Sequence, residues 1–267
     1  DGWMLRVLPS VKPKRLMLLI HGFTGDENSM WVFAQGLPPQ YRIIAPRAPH
    51  SAESGGYTWR PLHRLDFGKP NLDQLRPPAE ALMRLVDAYQ ASTGIDASAF
   101  DLMGFSQGAV MCNVLSFLYP NRIRKAGILA GFVPSGLEEL ISHRPLEGKE
   151  FFVAHGTKDE TVTIDRARDS IQLLEEAGAR VTYCEDEVGH KVSVKCLAAL
   201  KNFFADFCIA GSAQKVDAET RRNKPDEFCP LFRRPLFCKP NGSWRHTNIF
   251  AYTFKVRDQF LIRICRV

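Results

Sequence analysis

A mostly parallel α/β sheet flanked by helices is the architecture this sequence predicts, and three observations carry it. Short apolar runs alternate with stretches of helical periodicity up to about residue 208. Several of those runs are apolar on both faces, as parallel strands covered by helices must be. The length, 267 residues, lies within the range that single α/β domains reach.

The elements follow in chain order. Trp3–Leu8 could add an antiparallel edge strand. The main strands are expected at Leu16–Ile20, Tyr41–Ala45, Phe100–Met103, Ala126–Leu129, Phe151–Val153 and Val181–Cys184. Between them, apolar residues recur three and four apart on one helical face. Leu82, Leu85, Val86 and Tyr89 form the first such stripe, and Val110, Val114, Phe117 and Leu118 the second. Ile164, Ala167, Ile171 and Leu174 form the third, followed by Leu197, Leu200 and Phe204. Pro46 to Pro70, rich in Gly, Pro and Ser, reads as a long surface loop. Loops of that length are often functional, but its aromatic residues Tyr57, Trp59 and Phe67 could equally fill the core edge.

Charge divides the chain. Of 35 Lys+Arg and 29 Asp+Glu, residues 1–211 hold 23 and 24, a net of −1, which leaves 12 and 5, a net of +7, for residues 212–267. The overall charge of +6 therefore belongs to the tail and gives no reason to expect nucleic acid as a partner. Residues 1–210 are expected to form the catalytic domain. Residues 211–267 are expected to be a basic extension, partly disordered, with no role assigned; the apolar stretch from Phe254 onward could form a strand or hairpin.

No apolar run approaches the ~18 residues that cross a bilayer, so stable membrane insertion is not expected. No basic-then-apolar leader is visible, although the chain opens at Asp1 rather than Met. The seven cysteines follow no regular framework, and no pair has Cys-x-x-Cys spacing. They read as small buried hydrophobes in a reducing cytosol, hence a cytoplasmic location, with no metal site.

The chemistry concentrates in four segments. In Phe100-Asp101-Leu102-Met103-Gly104-Phe105-Ser106-Gln107-Gly108-Ala109 an apolar strand runs through Gly-x-Ser-x-Gly into a helical stripe. That order places a serine on a strained strand-to-helix turn beside a helix N-terminus, the geometry of a nucleophile elbow. A serine hydroxyl needs a base, normally a histidine oriented by a carboxylate, and in this arrangement acid and base follow the serine in that order. Asp159 lies just past the strand ending in Ala154-His155-Gly156, with Glu160 as its rival. His190, in Val188-Gly189-His190, is the only histidine after the acid within residues 1–211, while His21 and His155 fit structural roles at strand ends. Two backbone donors are needed for the oxyanion. The N–H of Gln107 follows the nucleophile, and the N–H of Phe23 lies in the glycine turn His21-Gly22-Phe23-Thr24-Gly25.

Together with Ala130-Gly131-Phe132-Val133-Pro134 and Gly55-Gly56-Tyr57-Thr58-Trp59, these segments resemble the phospholipase/carboxylesterase family of α/β-hydrolases, which includes the acyl-protein thioesterases. The resemblance covers roughly residues 3–208. It implies the α/β-hydrolase fold and cofactor-free, metal-free hydrolysis through an acyl-enzyme. Ser106 would attack, His190 would carry the proton, Asp159 would orient the imidazole, and Phe23 and Gln107 would hold the oxyanion. The substrate-contacting residues expected are Trp59 and Phe132. Phe23-Thr24 replaces the leucine-glycine pair at the mouth of the acyl-protein thioesterases, so small carboxylic esters with short to medium acyl chains are expected. The alternatives are a thioesterase or lysophospholipase of the same family, or a non-catalytic protein that binds a small ligand. Oligomeric state is not legible.

Overall fold

A computed structural model describes residues 2–61, 68–205, 249–256 and 259–266. The chain divides into two units, 1–206 with 249–267, and 207–248. The second unit lies outside the described residues, as does most of the segment expected to form the basic extension.

Each predicted strand is present, the first at its expected bounds and the others extended by one to three residues at one or both ends. They are β1 (Trp3–Leu8), β2 (Arg15–Ile20), β3 (Tyr41–Pro46), β6 (Phe100–Phe105), β7 (Ile123–Leu129), β8 (Glu150–Gly156) and β9 (Arg180–Asp186). Two strands in the chain's last segment, β10 (Ile249–Val256) and β11 (Gln259–Arg266), form an antiparallel hairpin. Among the described residues the sheet has nine strands, in the order β10-β11-β1-β3-β2-β6-β7-β8-β9. From β3 through β9 every neighbouring pair is parallel. β1 is antiparallel to β3, as the sequence suggests, but it is not the edge, because β11 pairs along its other side from Trp3↔Ile264 to Val7↔Phe260. The long loop after β3 contains a short ribbon of β4 (His50–Ser51) and β5 (Tyr57–Thr58).

Among the described residues, six α-helices complete the layers: α1 (Trp31–Ala34), α2 (Leu72–Thr93), α3 (Gln107–Leu118), α4 (Glu138–Ser142), α5 (Ile164–Glu176) and α6 (Val194–Ala205). Asn71 caps α2 reciprocally with Gln74, and Gly94 ends it in a left-handed turn at φ 71°. The predicted stripe Leu82, Leu85, Val86 and Tyr89 is fully buried. α3 is buried almost all round, including Asn113 and Ser116, because it lies between the sheet and α2. The chain winds from β2 to β3 on one side and to β6 on the other. The carboxyl ends of β2 and β6 therefore flank the point where winding reverses, the place where open α/β sheets bind ligands.

The cysteine expectation holds in part. Cys112 is a buried free thiol. Cys184, on β9, and Cys196, on α6, instead form a disulfide with Cα atoms 5.7 Å apart. Their separation of 12 residues marks no motif. They meet because α6 folds back on β9, and the ring so closed contains His190. Constraining such a loop in the unfolded chain contributes about 3 kcal/mol. Replacing both cysteines by serine should lower the urea unfolding free energy by about 2–3 kcal/mol relative to the oxidised protein. An unchanged midpoint would mean that the crosslink contributes nothing.

Candidate active site

Ser106 sits where β6 turns into α3, at φ 53° and ψ −117°. That conformation costs a non-glycine residue ~1–3 kcal/mol, and the surroundings over-determine it. Its backbone N–H donates to Leu129 O at 2.8 Å, tying the turn to β7, while its carbonyl accepts from Ala109 and Val110 in α3. Glycine is required on both sides for space. A Cβ at Gly104 would collide with the Gly108 carbonyl, and one at Gly108 would collide with the Ile20 carbonyl on β2.

The structure brings the three proposed side chains together. His190 Nε2 lies 2.9 Å from Ser106 Oγ, and His190 Nδ1 lies 2.7 Å from Asp159 Oδ2. Against a carboxylate, Nδ1 carries the ring proton, which leaves Nε2 as acceptor for the serine hydroxyl. Asp159 is buried, and its Oδ1 accepts from the backbone N–H groups of Thr161 and Val162, both at 2.9 Å. Glu160, the rival acid, is exposed. The loops bearing acid and base are bound to each other by Thr157 N–H to Asp186 O at 2.9 Å and Lys158 N–H to Val188 O at 3.0 Å.

His21 and His155 take the structural roles expected of them. His21 Nδ1 donates to Gly22 O at 2.7 Å, and its Nε2 accepts from the Ala48 N–H at 3.0 Å, so the neutral ring closes the turn that holds Phe23. His155 Nε2 donates to Val162 O at 2.7 Å and lies 3.4 Å from Asp159 Oδ2. Burial pushes the pKa of both imidazoles down. A bidentate pair between Arg47 and buried Glu27, at 2.7 and 2.8 Å, anchors the same turn, with Arg47 also donating to the Tyr57 hydroxyl.

Phe23 and Gln107 line one cleft with Ser106. At Gly22 the turn comes so near the elbow that an added Cβ would stand 3.2 Å from Phe105 O and 3.3 Å from Ser106 Cβ. Gln107 is the first residue of α3, whose amide hydrogen has no partner within the helix. Its side chain reaches the other way: Oε1 accepts from the Trp59 N–H at 3.1 Å, and Nε2 donates to Thr58 Oγ1 at 3.0 Å. Phe132, expected to touch substrate, is in the cleft wall. Trp59, expected there too, is not. Its indole is wholly buried, donates to His21 O at 2.8 Å and packs against the His21 ring. Aromatic area of that size is worth more in the core, and the loop folds inward to bury it.

The cleft beside Ser106 has a volume of about 70 Å³ and mixes apolar residues (Phe23, Val110, Phe132, Val162) with Arg60 and Arg166. Neither arginine is marked by the sequence reading. The available signal is Arg166 in the first turn of α5, where a helix dipole disfavours a cation. Among the described residues, no cluster of three His, Cys, Asp or Glu side chains could hold a metal ion, and no helix is long and apolar enough to cross a membrane.

Residues 6–208 match the profile of the family described as Phospholipase/Carboxylesterase. An acyl-protein thioesterase 1 of Debaryomyces hansenii is 28% identical over 226 residues, covering 76% of this chain and 95% of that protein. Carboxylesterase SOBER1 of Arabidopsis thaliana is 24% identical over 183 residues, covering 66% and 76% respectively. Among solved structures, a Bacillus cereus carboxylesterase superposes with a TM-score of 0.65 at 24% identity, over 76% of this chain and 92% of that one.

The two buried imidazoles set a pH dependence. Their folded pKa values lie below the ordinary 6.5. Above pH ~6.5 both rings are neutral folded or unfolded; below it the unfolded chain takes up protons that the folded chain resists. Stability is therefore complete above that value and is lost as pH falls toward the folded pKa values, by up to ~1.4 kcal/mol per pH unit for each ring. Urea unfolding should give a smaller free energy at pH 5.5 than at 7.5; equal values would contradict neutral imidazoles at 21 and 155.

Proposed function

This chain belongs to the phospholipase/carboxylesterase family, and from that premise we propose that it is a serine esterase that cleaves small carboxylic esters through an acyl-enzyme. The observation that carries the reading is the unbroken relay from Asp159 Oδ2 to His190 Nδ1 at 2.7 Å and from His190 Nε2 to Ser106 Oγ at 2.9 Å.

The chemistry follows from it. Ser106 Oγ attacks the ester carbonyl as His190 Nε2 takes the hydroxyl proton. Asp159 accepts the hydrogen on Nδ1 and stabilises the imidazolium that forms, without itself taking the proton. The carbonyl oxygen becomes an oxyanion that needs donors aimed at it, each worth about 3–4 kcal/mol of transition-state stabilisation. The backbone N–H groups of Phe23 and Gln107 take that role. Collapse of the tetrahedral intermediate expels the alcohol, which receives its proton from His190. Water, deprotonated by the same imidazole, then attacks the acyl-enzyme and restores Ser106.

The size of the cleft favours short acyl chains. The space beside Ser106 that the described residues enclose is about 70 Å³, well below the ~300–1,000 Å³ of sites for drug-sized ligands, although a groove of about 400 Å³ adjoins it at Phe132 and Arg166. A thioesterase reading keeps the same residues and draws its support from the 28% identity to an acyl-protein thioesterase 1. Phe23 in the cleft wall, with Thr24 beside it, is bulkier than the leucine-glycine pair of the acyl-protein thioesterases and favours the esterase.

One series of substrates decides between them. Across p-nitrophenyl esters, kcat/KM should peak at or below about six acyl carbons and fall at least about tenfold by twelve, since each methylene that does not fit forfeits ~1–3 kcal/mol. A maximum on long chains, or a faster rate on an acyl thioester of matched length, would replace the esterase reading with the thioesterase one.

A further inference from the structure

We propose that the ester this site takes carries a carboxylate, and that Arg166 binds it. The inference rests on the esterase reading and names its substrate class.

The described lining of the catalytic cleft contains two guanidinium groups, Arg60 and Arg166, and no acidic residue. Arg60 is almost completely buried. Arg166 is half-buried and lies flat over the Phe132 ring, its guanidinium carbon 3.4 Å from the ring centroid. One arm of its fork is fixed, because Nη1 donates to Gly68 O at 2.8 Å. Among the described residues, its other N–H groups make no hydrogen bond and no carboxylate comes within ion-pair distance. Burial lowers its pKa.

Stacking and the Gly68 carbonyl thus pre-orient a planar cation beside the nucleophile, and neither contact neutralises it. Arginine's fork matches a carboxylate, and charge-assisted hydrogen bonds are about twice as strong as neutral ones. The position adds to the argument. In the first turn of α5 the exposed N–H groups already carry partial positive charge, and Thr163 offers no side-chain cap. A cation in that turn gains nothing from the helix dipole, so the helix itself gives no reason for an arginine there. Arg166 also borders the adjoining groove, where Lys69, Glu138 and Asp169 lie, but among the described residues none of those carboxylates reaches ion-pair distance of it.

The charge can sit on either part of the ester, and two matched pairs separate the cases. Monoethyl succinate against ethyl pentanoate places it on the acyl side. 4-Acetoxybenzoate against its methyl ester places it on the alcohol side. In one pair the charged member should exceed its neutral partner in kcat/KM by about tenfold or more, the return of one good charged hydrogen bond. Arg166→Gln, which keeps a donor for Gly68, should abolish that ratio, and Arg166→Lys should retain part of it. A merely structural arginine would lower both members together and leave the ratio unchanged. No preference in the wild type, or a preference that survives Arg166→Gln, overturns the proposal. If p-nitrophenyl acetate itself is not hydrolysed, the esterase reading has failed instead.

Discussion

Three stretches of backbone converge on Ser106, and the site depends on how closely they can approach. β2, β6 and the first turn of α3 meet at Gly104 and Gly108, where any side chain would strike a carbonyl of the neighbouring segment. That contact holds Ser106 in its positive-φ conformation and lifts the hydroxyl to the rim of the sheet. It also brings the turn after β2 against the elbow, so that Phe23 and Gln107 border the same cleft. A looser packing would relax the serine and separate Phe23 from Gln107 in one step.

The remaining parts of the site are aimed at this fixed point by interactions of different strength. Asp159 is held by two backbone donors, and the loop with His190 is tied to it through the main chain. The Cys184–Cys196 crosslink closes that loop at its base. On the other side, Glu27, Arg47 and the neutral His21 fix the turn that carries Phe23. Polar groups so arranged before substrate arrives need no reorganisation during reaction, which is where most of the advantage of such a site lies.

Much of this was legible in the sequence because it is local. Strand, Gly-x-Ser-x-Gly and helical stripe are contiguous, and two-sided apolar runs such as Leu16–Ile20 admit one reading. Asp159 and His190 were found by their order and their distance past strands β8 and β9. The parts that escaped depend on tertiary contact. Trp59 was expected in the substrate wall, but nothing in its neighbours discloses that the indole turns inward to His21. The pairing of Cys184 with Cys196 requires knowing that α6 returns across β9. The hairpin strand β11 alongside β1 joins residues some 260 apart in number, far beyond any periodicity. Arginine in a helix is ordinary in a sequence; Arg166 becomes informative only through its place beside Ser106, stacked on Phe132 and, among the described residues, without a carboxylate in ion-pair distance.

The central claim is that the hydroxyl of Ser106 is a nucleophile made reactive by its imidazole neighbour. A fluorophosphonate probe followed by peptide mass spectrometry tests it most directly. A single adduct is expected on Ser106, absent in Ser106→Ala and slowed by orders of magnitude in His190→Ala. Folded protein that takes up no label, or takes it up on another residue, would contradict the account.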